Sequence, residues 1–123
     1  MRRTGFTLIE MLVVMAIMAT LLAIAAPRYF DSMERAKEAA LRSDLRILRE
    51  SLDKFHADTG TWPGALDNLV AAHYIREVPV DPVAGVATTW QSIGNPDGVT
   101  SGVYDVHSGA PGTAHDGTAY SAW

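Results

Sequence analysis

Glu10 is the only acidic side chain in the run from Phe6 to Ala26, where the other polar residues are Thr7 and Thr20. A carboxylate at a bilayer centre costs about 2.5–3.5 kcal/mol on insertion scales, so an acid in such a run calls for a cationic partner or an escape to the interface. A second set of reactive types lies far along the chain, in "DVHSGAPGTAHDGTAYSAW". Ser108, His115 and Asp116 are the residue types of a hydrolytic triad, but no nucleophile elbow surrounds the serine. No Gly-rich phosphate loop is present either. His107 and His115 could hold zinc by residue type, and two exposed loop histidines explain them more simply. With no positioning motif around these residues, no enzymatic activity is expected.

The bulk composition narrows the classes. At 123 residues, 48% hydrophobic and 20% charged, the chain has room for one domain and a membrane segment. A net charge of -4 argues against a nucleic-acid surface, which needs clustered Lys and Arg. Seven basic residues lie between Arg28 and Lys54, interleaved with six acidic ones. After Arg76 there is no Lys or Arg, while Glu77, Asp81, Asp97, Asp105 and Asp116 remain, so that part could attract a cation. Cysteine is absent, which excludes a disulfide framework and a thiol nucleophile.

The elements that position Glu10 come next. The 21 residues from Phe6 to Ala26 span about 31 Å as a helix, matching a hydrocarbon core of about 30 Å. Arg2 and Arg3 precede the run, which predicts a cytoplasmic N-terminus and an exported remainder. Three readings compete. Ala23-Ile24-Ala25 has the form of a signal-peptidase site, but the run is longer than an ordinary signal core and Pro27 would sit second after the cut. A plain anchor would leave Glu10 incidental, snorkelling to the interface. The third reading rests on "GFTLIE".

That stretch resembles the leader junction of type IV prepilins, in which a short basic leader ends in Gly and is followed by Phe and then by Glu at the fifth mature position. Here these are Gly5, Phe6 and Glu10. The resemblance implies that a prepilin peptidase cuts between Gly5 and Phe6 and methylates the new Phe6 amine, leaving the apolar helix attached. It also gives Glu10 a partner. The Phe6 ammonium of a neighbouring copy, offset along a filament, would neutralise the acid and select one axial register. A contact between Phe6 and Glu10 of one subunit is the local alternative.

Beyond the run, Pro27 removes one backbone bond and should kink the helix. Leu41, Leu45, Leu48, Leu52 and Phe55 alternate spacings of four and three, the signature of one buried stripe. Asp31–Arg35, Glu38–Arg42 and Glu50–Lys54 have the favourable order for i,i+4 ion pairs on a solvated face. The helix should run from about Phe6 to His56. Gly60 with Trp62-Pro63 marks the exit turn, a short second helix from Leu66 to about Tyr74 follows, and Val78-Pro79-Val80-Asp81-Pro82 forces extended backbone. Three strand candidates remain, Thr88 to Ile93, Val103 to Val106 and Ala119 to Trp123.

The Gly60–Trp62–Pro63 turn and the later Pro79–Asp81–Pro82 are similar to those of type II secretion pseudopilins, especially the major one. Val83-Ala84-Gly85 departs from the aromatic and Gly usual there. The resemblance implies a type IV pilin-like α+β fold, with a long N-terminal α-helix, apolar in its first half, packed on a small C-terminal antiparallel β-sheet. It implies a leader over 1–5, a transmembrane and polymerisation helix over 6–27, an amphipathic helix over 28–57 and a head over 58–123. It also implies calcium bound in the loop before the last residues, through Asp105, Ser108 and Asp116, to which an ordinary polar loop without an ion is the alternative. Ala110-Pro111-Gly112 stands where the family supplies another Asp, so backbone carbonyls and waters would have to complete the six to eight oxygens.

The function implied is that of a structural subunit of the periplasmic pseudopilus, driving export of folded proteins across the outer membrane. Its partners would be its own copies, minor pseudopilins, the prepilin peptidase and an inner-membrane assembly platform, without nucleic acid. The chain would sit in the bacterial inner membrane, single-pass, with the head periplasmic. A type IV or competence pilin is the nearest alternative, against which the lack of cysteines weighs because long-pilus subunits commonly close a loop with a disulfide. A signal-anchored periplasmic binding domain is the alternative from another class.

Overall fold

The computed structural model of the chain describes residues 4–123, so Met1, Arg2 and Arg3 of the expected leader lie outside the described residues. Helix α1 spans Leu8–Thr59 and includes Pro27. The chain divides into two compact units, Met1–Glu34 and Arg35–Trp123.

In the first unit nearly every apolar side chain of α1 faces outward. Leu8, Ile9, Leu12, Met15, Leu21 and Leu22 are all more than half exposed. An amphipathic stripe buries one face of a helix; this stretch is apolar on every side and has no face to hide. Thr20 satisfies its hydroxyl inside the helix, donating to the Ala16 carbonyl at 2.8 Å.

In the second unit the expected stripe is the core. Leu41, Leu45, Leu48 and Leu52 are buried, and with Leu66, Leu69, Trp90, Val103, Val106 and Tyr120 they form one cluster against which Phe55 packs. Burying a Leu in such a cluster contributes about 1.5–3 kcal/mol relative to exposure, which is why the 4-3-4 spacing decides the fold here. Helix α1 ends at Thr59, three residues beyond the expected end, where Gly60 takes a left-handed φ of 74°.

Helix α2, Leu66–Ala71, stops short of Tyr74. His73 adopts φ 64°, its N–H bonds to the Val70 carbonyl at 3.1 Å, and the Tyr74 N–H bonds to the Leu69 carbonyl at 2.9 Å. This is a Schellman closure with His in place of the usual Gly. Tyr74 then points back to α1, where its hydroxyl bonds Asp58 at 2.7 Å and its ring packs on Phe55.

Asp81 organises the proline-rich turn. It is fully buried; its Oδ1 accepts the Val83 and Ala84 N–H groups at 2.8 and 3.0 Å, and its Oδ2 accepts the Ser108 hydroxyl at 2.5 Å. The residues between the prolines therefore do structural work that a strand could not, since neither Pro can donate to a ladder.

The sheet has two antiparallel strands, β1 (Gln91–Gly94) and β2 (Val103–His107), with Gln91 opposite His107, Ser92 opposite Val106 and Ile93 opposite Asp105. The ladder is irregular between Ile93 and Gly94, which lets Val103 and Val106, an odd number of residues apart, both face the core. Strand β1 begins three residues later than expected. The expected third strand over Ala119 to Trp123 is not formed. A single bridge joins Thr113 and Ala119, after which Tyr120–Ala122 curls into a 3-10 turn closed by the Trp123 N–H on the Tyr120 carbonyl at 3.1 Å. One close approach fixes the loop between β2 and that turn: a Cβ on Gly109 would lie 1.9 Å from the Thr89 carbonyl oxygen, so only glycine fits.

Candidate functional site

Gly5, Phe6 and Thr7 precede the helix in non-helical backbone, and all three are exposed, Phe6 by 85%. The boundary has a local cause. The Thr7 N–H donates to Glu10 Oε2 at 2.7 Å, and the Glu10 N–H donates to Thr7 Oγ1 at 3.2 Å. This reciprocal pair is a capping box, Thr as N-cap and Glu three residues on, and it satisfies two amides that the first helical turn would leave open. The T-x-x-E pattern stands in the sequence, so the Thr7 cap is legible there although the expectation named only Glu10 and Phe6.

The capping box defines what Glu10 can do. Its carboxylate has a partner inside its own chain, the amide of Thr7, while the Gly5–Phe6 bond is held outside the helix. One oxygen serves the amide, and an ionised carboxylate has lone pairs for several donors, so an ammonium can be added without breaking the cap. The contact found within the chain thus joins Glu10 to Thr7, where the sequence suggested Phe6.

The second predicted set is placed in the segment after β2, and the structure does not bring it together as one centre. Asp105 Oδ1 accepts from Arg49 Nε at 2.8 Å and from the Val106 N–H at 2.7 Å. Asp116 Oδ2 accepts from Arg42 Nη2 at 3.1 Å, and its Oδ1 accepts the N–H of Thr118 at 2.9 Å. Ser108 is fully buried and gives its hydroxyl to Asp81. Bonds to Thr118 and the cation of Arg42 hold the Asp116 carboxyl below its usual range. Among the described residues no three His, Asp or Glu side chains gather to hold a metal.

A calcium ion needs six to eight oxygens and a negative surrounding. Here each of the two carboxylates lies within hydrogen-bond reach of a guanidinium, and the serine oxygen belongs to a separate buried pair. These residues do not fit a shared calcium ion.

The histidines part in the same way. His107 Nδ1 lies 3.1 Å from the Ser121 carbonyl, and His115 Nδ1 lies 3.0 Å from Glu38 Oε1. Ser108, His115 and Asp116 each face a different partner, so the triad types form no relay. Sequence reasoning also missed Glu38. Its Oε1 also accepts the His115 N–H and the Tyr120 hydroxyl, each at 3.0 Å. The local signal pointed elsewhere, to an i,i+4 pair with Arg42; the actual partners are more than seventy residues away. The hydrogen bond to the His115 side chain is the main reason the Glu38 carboxyl titrates below its usual range.

Comparison with known proteins bears on both ends. Residues 1–26 match the family described as the prokaryotic N-terminal methylation motif. The chain is similar to the fimbrial protein EcpC of Eikenella corrodens, at 31% identity over 121 residues covering 93% of this chain and 77% of that protein. It is similar to the type II secretion system core protein G of Pectobacterium carotovorum subsp. carotovorum, at 30% identity over 135 residues covering 94% and 83%. Core protein G of Klebsiella pneumoniae is 32% identical over 97 residues, covering 66% and 69%. No solved structure matches the chain.

Proposed function

The chain belongs to the type IV pilin-like family of type II secretion core protein G, the major pseudopilin, and on that premise we propose that it is a structural subunit of a periplasmic pseudopilus. The observation that carries the reading is the uncovered apolar stretch of α1 with an acid at its beginning. Phe6, Leu8 and Ile9 are 85%, 79% and 68% exposed, and the apolar exposure continues to Phe30. Lipid can cover that surface while the chain is stored, and the same helices of other copies can cover it in a filament. Growth of the filament would move folded proteins towards an outer-membrane channel.

In this reading the peptide bond between Gly5 and Phe6 is cut by a prepilin peptidase at the cytoplasmic face, and the Phe6 amine is methylated with its charge kept. Arg2 and Arg3 hold the leader on that side and the head lies in the periplasm. The exposed, non-helical backbone ahead of the Thr7 cap leaves the scissile bond open to an enzyme. After the cut, Glu10 accepts the Phe6 ammonium of an adjoining copy. Removing one partner of a buried charge pair costs about 3–5 kcal/mol, enough to forbid a misregistered contact. Minor pseudopilins and an inner-membrane assembly platform would complete the machine.

The likeness to a fimbrial protein over nearly all of this chain favours a second reading, a subunit of a surface pilus with the same helix packing. Deleting the protein separates the two: loss of exoprotein release supports the pseudopilus, loss of surface fibres the pilus.

Mass spectrometry of the processed N-terminus is the direct test of the class. A methylated Phe6 supports it, an Ala26 terminus indicates ordinary secretion, and an intact Met1 indicates a plain anchor. Glu10→Ala should insert into the membrane and fail to assemble; normal filaments from that variant would remove the charge pair from the mechanism.

A further inference from the structure

We infer that the segment from Ser108 to Trp123 is closed by a charge clasp from α1, formed by Glu38, Arg42 and Arg49, in place of a calcium ion. The three residues are spaced four and seven apart, so they share one face of the helix. Each reaches the segment or its root. Glu38 holds His115 and Tyr120 through one oxygen, and its side chain is only 13% exposed. Arg42 binds Asp116, and its guanidinium lies 4.0 Å over the Trp123 ring, a cation–π stack. Arg49 binds Asp105 with Nε at 2.8 Å and the Val106 carbonyl with Nη2 at 3.0 Å, fixing the end of β2.

The segment is tied to itself as well. Thr118 Oγ1 accepts the Trp123 indole N–H at 2.7 Å, and the Ala114 N–H bonds the Thr118 carbonyl at 2.8 Å. The bridge between Thr113 and Ala119 lies between these contacts. Ala110, Ala114 and Tyr120 are buried by this arrangement.

Charge supplies the reason that no metal is needed. A calcium loop carries an excess of carboxylates that a dication must neutralise. Here Asp105 and Asp116 are each neutralised by an arginine, and Glu38 is satisfied by three donors. A dication entering between them would have to displace two guanidinium groups and then face their repulsion. The substitution also changes what is joined: a metal ties the loop to itself, whereas the clasp ties it to the helix. Exposed ion pairs are weak singly and are screened by salt, so the clasp depends on several contacts sharing one loop.

The test uses the full-length chain in detergent micelles, followed by thermal unfolding and by nicking with a protease of broad specificity. Expected is the same melting temperature and the same nicking rate in millimolar calcium and in excess chelator. Glu38→Gln and Arg42→Ala should each speed cleavage within the segment by about tenfold, a local opening that leaves the leucine core folded. High salt should act in the same direction. A chelator-induced drop in melting temperature, saturable binding of one calcium per chain, or wild-type nicking rates in both variants would overturn the inference. Arg42→Lys keeps the charge and loses the planar fork and the stack; intermediate protection from it supports the clasp geometry, and full protection counts against the stack. None of these outcomes depends on whether the chain polymerises.

Discussion

The two units of the chain use α1 in opposite ways. In Met1–Glu34 the helix, from Leu8 to Ala26, presents apolar side chains on all sides and one carboxylate, Glu10, tucked into its own cap. In Arg35–Trp123 it buries a stripe of leucines and spends its charges on partners far along the chain. The first unit is unfinished alone, because among the described residues nothing in it covers its apolar surface; the second is finished, because its core is buried and the helix charges Glu38, Arg42 and Arg49 find partners within it. A protein built to be stored in lipid and then polymerised needs that division, with one unit stable before assembly and the other completed by it.

Truncating leucines tests the division most severely. Leu48→Ala removes a fully buried side chain and should destabilise the second unit by about 2–5 kcal/mol in chemical unfolding. Leu12→Ala, in the exposed stretch, should leave that unfolding curve unchanged and reduce filament yield instead. If both variants shift the curve alike, the units are not independent and the contrast fails.

Asp81→Ala comes next. It strands the fully buried Ser108 hydroxyl, at about 1–3 kcal/mol, while the partly exposed amides of Val83 and Ala84 can turn to water. Faster amide exchange at Val83 and Ala84, together with a lower melting temperature, is the expected result. In the first unit, Thr7→Val should cost about 1 kcal/mol of capping and fray the first turn of α1, visible as faster exchange of the Glu10 amide in micelles.

The sequence made some of this legible and hid the rest for physical reasons. Leu41, Leu45, Leu48 and Leu52 could be read because burial imposes a period that repeats along a helix, and the family resemblance of Gly5, Phe6 and Glu10 rests on fixed spacing. The end of α2 was misread because His73 closes it in a left-handed conformation that composition assigns to Gly or Asn. Ala119 to Trp123 follows a turn-rich stretch and carries two aromatics, as a strand might, yet Tyr120 and Trp123 answer to Glu38 and Arg42 on the helix, which no local pattern reports. For the same reason Glu38 looked like an i,i+4 partner of Arg42. Calcium was expected from the family resemblance and the loop's Asp and Ser residues; whether arginines would reach them is decided by the fold.

The smallest effects, and the sharpest in sign, come from pH. Glu38 and Asp116 titrate below their usual range, the first chiefly through the His115 side chain and the second through Thr118. A depressed carboxyl contributes stability that is present above its unfolded pKa and lost as pH falls through the folded one, so the clasp should loosen in acid. Asp44 behaves in the opposite way. Partial burial, and then the charge of Asp81, push its carboxyl up. A raised carboxyl contributes stability that is present below the unfolded pKa and lost as pH rises through the folded one, so ionised Asp44 is a cost at neutral pH. Asp44→Asn should therefore raise the melting temperature slightly at neutral pH and leave it unchanged in acid, where the wild-type group is already neutral. Melting curves of both chains across the carboxylate range would show the difference growing with pH; a constant offset would mean that the substitution acts through packing and that the two acids do not repel.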